Sequence, residues 1–219
     1  MAVLVRIRKH RVLAAVLVAG TITALLASGV AVAHHYDSLY PTATTGSNCA
    51  GGGIGTSPCR TDNKTVTYYY ETNMEQRAVN AVGNRIGTQY EPTNLTFVLQ
   101  SPPVYTGSAE MDIIFGSRGY IDSFYGAIGI TWCNDNVNSQ RCDQHYVYFD
   151  TPWYQANNWS KRRGNACHEI GHAVGLQHGA RAHPTVSNST ASLRCLGIPS
   201  STWIYLGSHN EDQIDGHWN

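Results

Sequence analysis

Two rhythms of apolar and polar residues alternate along the chain. KTVTYYYE (64–71) is dense in β-branched and aromatic residues, the composition of a strand. From Met74 to Tyr90 the rhythm changes. Ala78, Ala81, Val82 and Ile86 recur at helical spacing and give that segment one apolar face. Strand-like runs return in NLTFVL (94–99), closed by Ser101-Pro102-Pro103, and in AEMDIIFG (109–116). Two more follow, YGAIGITW (125–132) and, within HYVYFDTPWY (145–154), a fifth that ends before Pro152. The glycines of 125–132 suit a sheet edge or a close backbone approach. Two helices are expected late: one carrying His168 and His172, and one from Ser208 to about Trp218. Ser208 and Glu211 of the latter fit a capping box, and Ile214 and Trp218 share one of its faces. His209 and His217 need no role there beyond packing and the surface. Strands in a mostly contiguous block, then helices, read as an α+β domain.

The first 33 residues stand apart. Arg6, Arg8, Lys9 and Arg11 form a basic head, an apolar run follows from Val12, and Ala31-Val32-Ala33 closes it with small residues. This is the pattern of a signal peptide cleaved near Ala33–His34, and it places the protein outside the cell. An uncleaved anchor is the rival reading of the same run. Residues 34–63, rich in Gly, Ser and Thr and without apolar period, read as an N-terminal arm, and 64–219 as one domain large enough for a real core. Without the basic head, 11 basic and 15 acidic side chains leave a net charge of −4 with neutral histidines. No basic patch stands out, so neither nucleic acid nor, after cleavage, a membrane is an expected partner, and a monomer is expected.

All six cysteines follow the apolar run, an even number in an exported chain, which reads as three disulfides. Close spacing suggests Cys49–Cys59 and Cys133–Cys142, each around a short polar loop, and leaves Cys167 with Cys195.

The chemistry is concentrated in CHEIGHAVGLQHGARAH (167–183). His168 and His172, four apart, lie one turn apart on one helix face and can converge on one ion. Glu169 is rotated by about 100° from His168. It cannot be a ligand on that face, but it can reach a water beside the ion, as a general base must. In a continued helix His178 would be turned away and carried about 9 Å further along the axis. The chain must break first, and Gly175 stands where the break is needed. His168, His172 and His178 thus form a three-imidazole set with room for a fourth, water ligand, the open kind of Zn2+ site. His183, five residues further and before Pro184, reads as a surface or substrate-side residue. The Asp-rich stretch Asp135–Asp143 is a candidate for structural Ca2+ and carries no EF-hand pattern.

The fixed positions His168, Glu169, His172, Gly175 and His178 resemble the extended motif of the metzincin zinc endopeptidases, and the order of elements over 64–219 is similar to compact, matrixin-like bacterial members. The resemblance implies a zincin fold: a twisted, mixed five-stranded sheet, about three helices and a shallow zinc cleft. It also implies an edge strand, here Tyr125–Trp132, that pairs with an extended substrate. It implies a secreted endopeptidase acting on a protein or peptide through zinc-held water, with Glu169 as general base. One feature departs from the family. Its members place a methionine beneath the ion, whereas the last methionine here is Met111. In the turn ASLRCLGIP (191–199), Leu196 is the expected replacement and Leu193 the second choice; such swaps cost under about 1.5 kcal/mol. A Cys167–Cys195 bond would staple the metal helix to this turn. SPCRTD around Cys59 faintly resembles the family's latency switch, but pairing with Cys49 is simpler. Two other functions fit the same residues: a zinc hydrolase of non-protein amides or wall peptides, and a zinc-holding binding module without turnover.

Overall fold

Strand β2 (Thr65–Tyr70) lies inside the sheet, with β3 (Thr96–Leu99) on one side and β4 (Ile113–Arg118) on the other, both parallel to it. This computed structural model describes residues 36–54, 56, 58–119, 121 and 126–219. The segment read as a signal peptide and the first residue of the expected edge strand, Tyr125, fall outside them. Next to β4 comes β6 (Arg141–Asp150), again parallel, and β5 (Gly129–Asn138) runs antiparallel along β6. Among the described residues the sheet has six strands where five were expected. The additional one, β1 (Arg60–Thr61), lies in the expected N-terminal arm and pairs with Arg141 and Cys142. Since β5 occupies one edge of β6, β1 and β4 share the other, and the sheet remains five strands wide.

Period-two alternation sends successive residues of β6 to opposite faces. Val147 and Phe149 join Ile113, Phe115 and Val66 in the main core beneath the helices. Tyr146 and Tyr148 face the other way and stack with Trp132, ring centroids 5.4 Å apart. With largely buried side chains on both faces, β6 shows no clean apolar–polar alternation, which is why its period is weak in the sequence.

The helices are α1 (Gln76–Arg85), α2 (Thr151–Ala156), α3 (Trp159–Ala173) and α4 (Ser208–His217). The expected helix to Tyr90 is completed by a π turn, Ile86–Tyr90, closed by Glu91 N donating to Ile86 O at 2.9 Å. That turn carries Tyr90 inward, where its hydroxyl donates to Cys167 O at 2.5 Å and buttresses α3. Helix α2 was not expected. Asp150 ends β6 and caps α2 by accepting from Trp153 N at 2.7 Å, and Pro152 fits the first turn, where no amide hydrogen is needed. The capping box at Ser208 does not form. Ser208 lies inside the first turn, and Gly207, at φ +78°, takes the cap position with its carbonyl accepting from Asn210 and Glu211. His209 is buried and its Nε2 meets Ser38 Oγ at 3.1 Å, a packing role.

All three cysteine pairs are bonded: Cys49–Cys59, Cys133–Cys142 and Cys167–Cys195. The second closes its short polar segment as expected, but that segment is strand and tight turn, not irregular loop. It bridges a β5–β6 hairpin whose polar residues hide it from a hydrophobicity reading. Among the described residues no helix is long and apolar enough to cross a membrane.

Candidate metal centre

Helix α3 begins with Asn158 accepting from Lys161 N at 3.0 Å, and its whole last part, Gly164 to Ala173, is buried. It ends as the sequence requires. Gly175 adopts φ +104°, Leu176 N donates to Gly171 O at 2.8 Å, and Gly175 N donates to His172 O at 3.0 Å, a Schellman termination. A side chain at Gly175 would also collide with Arg60, whose Cα lies 2.8 Å from the position a Cβ would take. The turn redirects the chain so that His178 comes back over the helix end.

The result is a triangle of ring nitrogens. His168 Nε2 and His172 Nε2 are 3.1 Å apart, and His178 Nε2 lies 3.0 Å from each. The opposite ring nitrogens of two of them are held by backbone carbonyls: His168 Nδ1 donates to Cys195 O at 2.6 Å and His172 Nδ1 to Leu176 O at 2.8 Å. A neutral imidazole that donates from Nδ1 has only a lone pair at Nε2. At least two lone pairs therefore converge with no hydrogen between them. Burial, then the neighbouring imidazoles, hold His172 well below the usual histidine range and His168 down to about 3. Burial, then Arg181, lowers His178 to about 4. Uncharged, buried and mutually facing acceptors are a donor set for a cation, and nitrogens at this spacing can all reach one ion at the usual distance of about 2.0–2.1 Å. Among the described residues one other group of ligand atoms is as close, Cys49, Cys59 and Cys133, but each of these sulfurs is in a disulfide. The Asp135–Asp143 stretch contributes to neither group.

Glu169 faces the same cleft, of about 270 Å³, which Gly129, Ile130 and Thr131 of β5 rim from the other side. Thr131 Oγ1 donates to Glu169 Oε2 at 2.8 Å. Gly129 leaves the space the carboxylate fills: a Cβ there would lie 2.7 Å from Glu169 Oε1. Burial pushes the Glu169 carboxyl up to about 7, against the lowering effect of the hydrogen bond from Thr131. A cation in the triad would draw it down again.

A scan against protein-family models finds no match, and neither does a search of curated proteins. Among solved structures, two of myroilysin are similar. One is 14% identical, with 80% of this chain and 69% of that chain covered at a TM-score of 0.34. The other is 15% identical, covers 79% and 71%, and scores 0.35. At these values nothing about activity is carried across to this chain.

The site also has parts the motif does not announce. Residues 36–45 run alongside the loop that bears His178. Asp37 and His183 exchange backbone bonds at 2.7 and 2.8 Å, Gln177 N donates to Ser38 O at 2.8 Å, and Tyr40 N donates to Gly175 O at 2.8 Å. Thr42 Oγ1 and Thr44 Oγ1 cap the carbonyls of Arg181 and Ala182 at 2.6 and 2.8 Å. Gln177, buried, ties the loop to Pro58 O, and Arg181 lines the cleft. None of these bonds leaves a pattern in a Gly- and Thr-rich arm. His183 is exposed and outside the triad. Leu196 is fully buried and packs on Gly171, between the two helical histidines: a Cβ on Gly171 would meet its methyls at 2.9–3.0 Å. Leu193 is equally buried but is not among the three atoms nearest that Cβ position.

Proposed function

We propose that this protein is a secreted, zinc-dependent endopeptidase of the metzincin type. The observation that carries the proposal is the convergence of three imidazole Nε2 atoms within 3.1 Å in a cleft that also holds Glu169. His168, His172 and His178 would hold the ion, which when bound supplies Lewis acidity toward a carbonyl and acidifies a coordinated water. Glu169, desolvated and fixed by Thr131, is the group that takes a proton from water and returns it to the departing amide nitrogen. No side-chain nucleophile is needed. Among the described residues β6 is the only strand paired with β5; Gly52 N and Thr56 Oγ1 of the arm take the carbonyls of Asn134 and Cys133, and the stretch Gly129–Trp132 beside the triad is left to offer backbone donors and acceptors to an extended peptide.

The test is a comparison of the parent with Glu169→Gln on a denatured protein, with and without chelator, followed by mass mapping of the cut sites. The parent should cleave internal peptide bonds and stop when metal is removed. The variant should retain stoichiometric zinc and lose nearly all turnover. Zinc-loaded parent without hydrolysis, or a Gln variant as active as the parent, defeats the proposal.

A further inference from the structure

A second cleft, of about 300 Å³, shares no residue with the first. It lies between the arm (Asp37, Tyr40), Arg60 of β1, and the end of α4 (Asp212, His217). Arg60 is its unusual member. It is only 7% exposed, yet among the described residues no carboxylate comes within ion-pair distance of it; the one such pair there is Arg77–Glu75. Its Nη1 donates to His217 Nδ1 at 3.2 Å. Among the described residues its Nε is buried without a hydrogen-bond partner, and none accepts from Nη2. The indole of Trp218, 5.8 Å from the guanidinium carbon, offers a cation–π contact at the limit of its range.

The two aspartates do not neutralise it. Asp37 Oδ1 accepts from Leu39 N, and the backbone of Asp37 pairs with His183. Asp212 is exposed at the rim. The charge that does reach Arg60 is of its own sign, from Arg141, which together with burial works against the cation. A guanidinium does not deprotonate to escape burial, so an unpaired one costs free energy unless an anion joins it. The donors left over are specific as well. Nε and Nη2 share one edge of the guanidinium, and two parallel N–H groups on that edge match two oxygens of one anion.

We propose that this cleft binds a small oxyanion, a carboxylate or a phosphate, bidentately on the Nε–Nη2 edge of Arg60. The occupied site would join β1, the arm and α4 directly behind Gly175, whose bend already abuts Arg60. The proposal does not depend on the peptidase reading.

The test follows thermal unfolding of the full chain while sodium phosphate or sodium acetate replaces sodium chloride at constant ionic strength, for the parent, Arg60→Gln and Arg60→Lys. In the parent the midpoint should rise and saturate with at least one oxyanion; the rise should be lost in Arg60→Gln and reduced in Arg60→Lys, which keeps the charge without the fork. A response to phosphate alone identifies a tetrahedral anion, and one to acetate alone a carboxylate such as a peptide terminus. A rise equal in parent and variants, as a general salt effect gives, overturns the proposal, as does a parent that responds to neither anion. Should Arg60→Gln fail to fold, calorimetric titration of the parent with each anion decides: no saturable heat from either overturns it.

Discussion

His168 Nδ1 donates to the carbonyl of Cys195 at 2.6 Å, and Cys195 is covalently joined to Cys167, the residue immediately before His168. One disulfide therefore fixes both the start of the metal motif and the acceptor that orients its first imidazole. Replacing both cysteines by alanine should lower stability by about 2–4 kcal/mol, the usual effect of opening a loop of this size. It should also weaken metal retention by about 10- to 100-fold, the range for losing an outer-sphere partner. Urea unfolding and competition with a chromogenic chelator measure the two effects separately. Unchanged retention alongside lowered stability would show that the carbonyl stays in place without the bond.

The β5 rim should matter to rate more than to metal. Gly129→Ala places a methyl 2.7 Å from Glu169 Oε1, so the carboxylate must move. We expect zinc content near that of the parent and a kcat/KM reduced on the order of 10²-fold, as misplacement of a catalytic group by about 1 Å can cause. Thr131→Val removes the donor to Oε2 with little change in shape and should cost less, roughly tenfold. Zinc analysis with peptide kinetics separates both outcomes from simple unfolding.

The triad was legible because its requirement is local. Four residues of helix, a glycine that tolerates φ +104° and one returning histidine are all visible within eleven positions. The strands β2 and β3 were legible because their composition is strand-like. Their neighbours were less so, each for a physical reason. The β5–β6 hairpin from Asn134 to Gln144 is held by a disulfide and by amide side chains, such as Asn134 Nδ2 donating to Gln144 Oε1 at 3.1 Å, so no hydrophobic alternation marks it. Strand β1 is two residues long and exists only through pairing with distant Arg141 and Cys142. The cap of α4 went to Gly207 because backbone geometry, not the Ser208 hydroxyl, closes that turn.

The arm yields a third prediction. Six hydrogen bonds from residues 37–44 hold the segment from Gly175 to His183. Deleting the arm would also remove the buried Tyr36, Leu39 and Tyr40, so the cleaner variant is Thr42→Val with Thr44→Val, which takes two of the six bonds from the loop that supports the third imidazole. We expect zinc or cobalt to dissociate about 10- to 100-fold faster into excess chelator, with far-ultraviolet circular dichroism nearly unchanged. Equal dissociation rates would mean that the remaining bonds suffice to hold the loop.

Acid should destabilise the fold through His145. This histidine on β6 is fully buried, its Nε2 donating to Cys59 O at 3.1 Å while Nδ1 has no hydrogen-bond partner among the described residues, and burial lowers it to about 4. The unfolded chain, near the ordinary value of about 6.5, binds the proton first. The stability due to the neutral ring is thus complete above about pH 6.5 and is lost as pH falls toward 4, by about 3 kcal/mol in all. Asp112 works in the opposite direction. Burial, opposed by its bonds to Thr67, raises it to about 7, so its contribution shrinks as pH rises from about 4 to about 7. The His145 term is therefore best read by difference. His145→Gln can keep a donor toward Cys59 O but cannot be charged. Its deficit relative to the parent, measured by urea unfolding, should be largest at pH 7.5 and should shrink or reverse by pH 5. A deficit independent of pH would show that the ring contributes only its shape.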